Sequence, residues 1–128
     1  MRFACLLVAG YLAALGLQVQ AAEGYSKAYT QCMNFSYGNT AKAKKCVKKE
    51  LKAQKKRLKK NYKTYLKLNS PYQNNIRAQH TLWERKMSQQ CNLGMTGQYA
   101  QIQQGQCRLA LVVDQASLYQ SRSYSRGL

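Results

Sequence analysis

Between positions 41 and 68 the uncharged residues Val47, Leu51, Gln54, Leu58, Tyr62 and Tyr65 recur at steps of three and four, the spacing of one face of an α-helix. Asn39-Thr40 supplies an N-cap, and Asn69-Ser70-Pro71 ends the element, because the residue before proline is pushed away from helical dihedrals. A second stripe, Tyr72, Ile76, His80, Trp83, Met87 and Cys91, predicts a long helix antiparallel to the first across a tight turn. Gly94 and Gly97 mark a loop, after which Tyr99, Ile102, Gln106, Leu109, Val113 and Ala116 predict a closing helix. Upstream, Tyr25, Ala28, Tyr29, Cys32 and Met33 fit a short amphipathic helix or turn. No strand-like alternation, linker or repeat interrupts this pattern. The expectation is an all-α fold, a small antiparallel bundle of three to four helices over residues 22–119. Residues 120–128, without apolar periodicity, are expected to be a flexible tail.

The start of the chain reads differently. Met1-Arg2 precedes the apolar run FACLLVAGYLAALGL and the small-residue sequence Val19-Gln20-Ala21, the arrangement of a signal peptide cleaved near Ala21. The run is shorter than the roughly 20 residues that span a bilayer, and no other stretch could cross one. Cys5 leaves with the signal and stands too early to carry a lipid. The expected product is therefore periplasmic or secreted.

Cutting after Ala21 leaves 107 of the 128 residues, a size at which a core alone gives marginal stability. Cys32, Cys46, Cys91 and Cys107 remain, an even number in an oxidising compartment, and predict two disulfides. Of the three possible connectivities, Cys32–Cys46 with Cys91–Cys107 is favoured, because each closes a short loop between consecutive helices. No C-x-x-C pair occurs and the chain has one His, so neither a metal site nor a cofactor is expected.

Charge changes the picture most. Loss of Arg2 takes the formal charge from +17 to +16, and twelve lysines and Arg57 lie between positions 42 and 67 against one acid, Glu50. Lysines at i and i+4 repel by about 0.2–0.5 kcal/mol per pair, so eight such pairs from Lys44/Lys48 to Lys63/Lys67 cost roughly 2–4 kcal/mol at low salt. A solvated helix face normally mixes both signs. Neutralisation by an anionic partner is the use this density suggests, through Lys45, Lys48, Lys49, Lys52, Lys55, Lys56, Lys59, Lys60 and Lys63. Lipopolysaccharide phosphates and acidic envelope polymers are the expected polyanions. Nucleic acid is a further one, without base reading, since lysine lacks the bidentate geometry of Arg.

Catalysis is not expected. His80 is the only imidazole, Asp114 the only aspartate, and no nucleophile elbow, zinc-protease or phosphate-loop motif appears. His80 falls on the second stripe, one turn before Trp83, as a packed or hydrogen-bonded core histidine. Glu50 and Glu84, on separate helices, read as ion-pair partners of lysines rather than as an acid–base pair. Tyr62, Tyr65, Tyr72 and Trp83 keep core spacing, whereas Tyr37, Tyr119 and Tyr124 lie off the stripes as surface aromatics.

Taken together, Cys32, Cys46, Glu50-Leu51, Leu58, Tyr62, Ile76-Arg77, Trp83, Cys91 and Cys107 resemble the pattern of the lysozyme-inhibitor LprI-like family of secreted bacterial helical domains. The resemblance covers residues 25 to 119 and implies framework roles for Glu50, Leu58, Tyr62, Arg77 and Trp83, with lysozyme as a protein partner. The chain departs from that pattern at Lys55 and Lys59, where the family shows Asp and Asn, and at His80, Met87-Ser88 and Gln115. Lysozymes are commonly basic, and like charges oppose docking. An inhibitor of charge +16 would need an uncharged or acidic patch away from residues 42–67, and the sequence displays none.

Overall fold

A computed structural model describes residues 24–126, so the expected signal peptide, residues 1–21, lies outside the described residues. Four helices follow in order: α1, Lys27–Phe35; α2, Thr40–Leu68; α3, Gln73–Gln90; and α4, Gln98–Arg126. Among the described residues there is no strand, and the structure is all-α. Ser26 caps α1 by accepting from the Tyr29 amide, and Asn39 caps α2 by accepting from the Lys42 amide at 3.0 Å. Ser70–Tyr72 forms a single 3-10 turn with Pro71 inside it, which reverses the chain into α3. Asn69, 2% exposed, steadies that reversal by donating to the Tyr65 carbonyl at 2.7 Å.

Contacts fix the topology. Gly105 lies against Val47, Asn61 donates to the Ala116 carbonyl and Arg57 to Ser117, so α2 and α4 run side by side in the same direction. His80 meets Tyr62 and Tyr119 while Cys91, at the end of α3, is joined to Cys107 near the start of α4, so α3 runs antiparallel to α4 and hence to α2. A Cβ on Gly105 would meet the Val47 Cγ1 at 2.7 Å, which is why glycine stands in this helix at the closest approach of α2 and α4. The core is built mainly by these two helices, with Leu109, Val112 and Val113 fully buried and Val47, Leu58, Leu66 and Tyr119 around them. On α3 only Ile76 is buried. Cys32–Cys46 and Cys91–Cys107 form the two disulfides, with Cα separations of 5.7 and 5.5 Å, and attach α1 and α3 to their neighbours.

Four expectations are corrected. Residues 120–126 are not a tail but the last turns of α4, because Gln120 is held by Arg57 and the hydroxyls of Ser123 and Ser125 bond carbonyls one turn back. Tyr119 is a core residue at 3% exposure, since the lengthened α4 turns it toward Tyr62, Tyr65 and His80. Tyr72 is exposed, because it belongs to the 3-10 turn rather than to the α3 stripe. Glu50 is buried and pairs with no lysine, because the cap of α1 claims its carboxylate.

Candidate functional site

Three surfaces of the described residues bear on partner binding. The first is the outer side of α2. Its buried positions Cys46, Val47, Glu50, Gln54 and Leu58 face the bundle, and Lys45, Lys48, Lys49, Lys52, Lys55, Lys56, Lys59, Lys60 and Lys63 are all exposed on the remainder. At about 100° per residue they occupy an arc of about two-fifths of the helix. The one contact of ion-pair geometry among the described residues joins His80 and Glu84 at 3.5 Å and involves no lysine, so carboxylates of this region do not quench the lysine face. Arg57 behaves differently from the lysines around it. Half-buried, it donates to Gln54, Ser117 and Gln120 at 3.3, 3.1 and 2.9 Å and is part of the α2–α4 contact.

The second surface is a groove of about 550 Å³ where α2 and α3 meet over α4. Leu58, Val112 and Met87 form its floor, Tyr62, His80 and Trp83 its aromatic wall, and Lys55, Lys59, Glu84 and Ser88 its rim. The His80 ring lies 4.1 Å from the Tyr62 ring and 5.5 Å from that of Trp83, and its Nδ1 is 2.9 Å from the Tyr119 hydroxyl. Burial lowers the His80 pKa from 6.5, against the opposing pull of the Glu84 charge and hydrogen bond, which keeps the imidazole neutral at pH 7. Burial also raises the pKa of Tyr62 and of Tyr119, so neither phenol is an activated nucleophile. No serine or threonine hydroxyl of the described residues bonds His80, and the nucleophile–base–orienter geometry of acyl transfer is not assembled here. Glu50 and Glu84 are engaged by different partners, Ser26 with Gln54 and His80 respectively, and form no acid–base pair. Among the described residues no cluster of His, Cys, Asp and Glu could hold a metal ion.

The third surface was missed by periodicity. Where the α1–α2 turn meets the first turns of α4, a shallow cavity of about 380 Å³ is lined by Met33, Ser36, Tyr37, Gly38, Asn39, Thr40, Ala43, Tyr99, Ile102 and Gln106, none of them charged. Tyr37 is 97% exposed, Tyr99 69%, and Phe35, the last residue of α1, 85%. Tyr37 is legible as a surface aromatic; Phe35 and Tyr99 are not, because only the fold brings the end of α1 beside the start of α4. Gly38, at φ +74°, makes the sharp turn that leaves Tyr37 outside.

A family profile described as Lysozyme inhibitor LprI matches residues 32–117. The chain belongs to the LprI family. The match runs from the first structural cysteine to two-thirds of the way along α4, and so takes in both disulfides, the groove, the whole lysine face, and Tyr37 and Tyr99 of the third surface. No curated protein and no solved structure matches the chain. LprI membership points to inhibition of lysozyme by protein binding rather than to catalysis, and together with two disulfides it points to an extracytoplasmic location. No helix among the described residues is long and apolar enough to cross a membrane. Of the framework positions implied by the resemblance, Leu58, Tyr62 and Trp83 line the groove, Glu50 holds α1, and Arg77 is exposed on α3 within 3.5 Å of the Gln73 side chain.

Proposed function

We propose that this LprI-family chain is a non-catalytic, periplasmic or secreted binding protein that inhibits lysozyme through its uncharged aromatic end, while the lysine face of α2 holds it against an anionic envelope polymer. The observation that carries the first half is the pair Tyr37 and Tyr99, both exposed on a cavity lined without charge, with Phe35 exposed two residues before Tyr37. A basic lysozyme is repelled by α2, so docking needs such a surface, and aromatic anchors are the side chains that most often dominate an interface. The test is cell-wall lysis by basic and by acidic or neutral lysozymes in the presence of the purified protein. Inhibition is expected, and Tyr37→Ala with Tyr99→Ala should weaken it about tenfold or more, the scale of a lost anchor. Absence of inhibition toward every lysozyme would remove this reading.

The second half rests on the exposed α2 lysines, which have no carboxylate partner among the described residues. Binding to lipopolysaccharide or an acidic polymer such as heparin should fall steeply with salt, because condensed counterions are released on contact; the same law governs nucleic acid. The quadruple change of Lys48, Lys52, Lys56 and Lys63 to Gln should weaken it further without unfolding α2. Affinity that does not change with salt would exclude the contact.

A further inference from the structure

We infer that the groove between α2 and α3 binds a single-chain anionic amphiphile, an acyl chain ending in a carboxylate or phosphate, taken up as a free molecule rather than as part of a bilayer. The volume of about 550 Å³ lies in the range of small-ligand sites, and the floor of Leu58, Val112 and Met87 with Trp83 beside it is apolar. The protein leaves this surface unfinished: α3 buries only Ile76, and Trp83 and Met87, one turn apart, remain half-buried. An acyl chain laid along them would take that apolar surface out of water.

Charge selects the head. Lys55 and Lys59 stand one turn apart on the α2 rim, both exposed and neither paired with a carboxylate among the described residues. Glu84, on the other rim, lies 3.5 Å from a neutral His80 and keeps its charge, so two ammonium groups stand against one carboxylate and leave the opening net positive. A neutral chain would use the floor alone and a simple polyanion the lysines alone. Only a ligand with an apolar body and an anionic end uses both.

Trp83 is the only tryptophan of the chain, so its emission reports this groove directly. The purified protein is titrated with dodecyl phosphate below its micelle concentration, with dodecyl maltoside, with inorganic phosphate, and with phosphatidylglycerol vesicles. Saturable, blue-shifting binding of dodecyl phosphate is expected, with the maltoside and inorganic phosphate each about tenfold weaker or more, and Lys55→Gln with Lys59→Gln should weaken it about three- to tenfold, the scale of two exposed ion pairs. Both lysines are solvent-facing, so the double variant keeps its fold, which far-ultraviolet circular dichroism checks. Equal affinity for the neutral amphiphile, a Trp83 response to vesicles but not to monomeric dodecyl phosphate, or undiminished affinity in the double variant would overturn the assignment. The polyanion test above alters Lys48, Lys52, Lys56 and Lys63 and leaves Lys55 and Lys59 in place, so the two proposals fail separately.

Discussion

Glu50 is the residue on which the α1 attachment turns. At 4% exposure it accepts from the Ser26 amide at 2.9 Å, the Ser26 hydroxyl at 2.6 Å and the Gln54 side-chain amide at 2.8 Å. Ser26 is itself the cap of α1, and Gln54 also donates to the Gly24 carbonyl at 2.6 Å, so one carboxylate fixes the start of α1 onto α2. Burial raises its pKa, but the hydrogen bonds from Gln54 and Ser26 outweigh that and hold it below the ordinary 4.5. A carboxyl with a depressed folded pKa contributes stability above its unfolded value, and that contribution is lost as pH falls through the folded one. Stability should therefore decline as pH drops below 4.5, and less so in Glu50→Gln. His80 adds an earlier loss of the same sign: its pKa is lowered from 6.5 chiefly by burial, so the neutral ring stabilises the fold above that pH and protonation removes the benefit below it. At pH 7 Glu50→Gln should cost about 1–3 kcal/mol in urea unfolding, the range for a buried charge-assisted network left incomplete. Identical acid-unfolding curves for the variant and the parent would refute this role.

At the scale of elements, the bundle divides into a firm pair, α2 with α4, and two attached helices. α3 is held by Ile76, by the His80–Tyr119 bond and by Cys91–Cys107, and little else on it is buried. Changing Cys91 and Cys107 to Ser should remove about 3 kcal/mol, as expected for a loop of this size. It should also red-shift Trp83 emission as α3 lifts from the groove, while most helical circular dichroism persists. Unshifted emission would show that side-chain packing alone positions α3. This division also explains what the sequence discloses. Val47, Leu58, Ile76 and Leu109 are legible as core because each sits on a helix with one wet and one dry face, and of three possible connectivities the one with short loops, favoured by the spacing, is the one formed. Glu50 is misleading because its partner, Ser26, lies 24 residues away and nothing local marks it as a cap. The last turns of α4 are equally silent: their support is Arg57, from another helix, and serine hydroxyls that read as loop chemistry. The third surface is invisible for the same reason, being assembled from Met33 and Tyr37 at one point of the chain and Tyr99 at another.

For the whole molecule the net charge, +17 for the full chain and one less without Arg2, acts on every encounter, and it acts with opposite sign on the two partners proposed. Toward an anionic polymer the field is attractive, and binding releases counterions, so the logarithm of affinity falls linearly with the logarithm of salt concentration. Toward a basic lysozyme the field is repulsive over a Debye length of about 10 Å at 0.1 M salt, and added salt weakens the repulsion. The cavity beside Tyr37 and Tyr99 has no charge in its lining, with Lys42 and Lys44 flanking it on α2, so the contact itself gains no attraction that salt could screen. Measured on one preparation, affinity for heparin should therefore drop on going from roughly 50 to 200 mM salt by a factor set by the number of lysines engaged. Affinity for a basic lysozyme should hold or rise over the same interval, chiefly through faster association. Changing Lys48, Lys52, Lys56 and Lys63 to Gln should move the two in opposite directions again, weakening heparin binding and hastening lysozyme association. If lysozyme binding instead falls with salt alongside heparin binding, the enzyme is meeting the lysine face, and the uncharged end is not the docking surface.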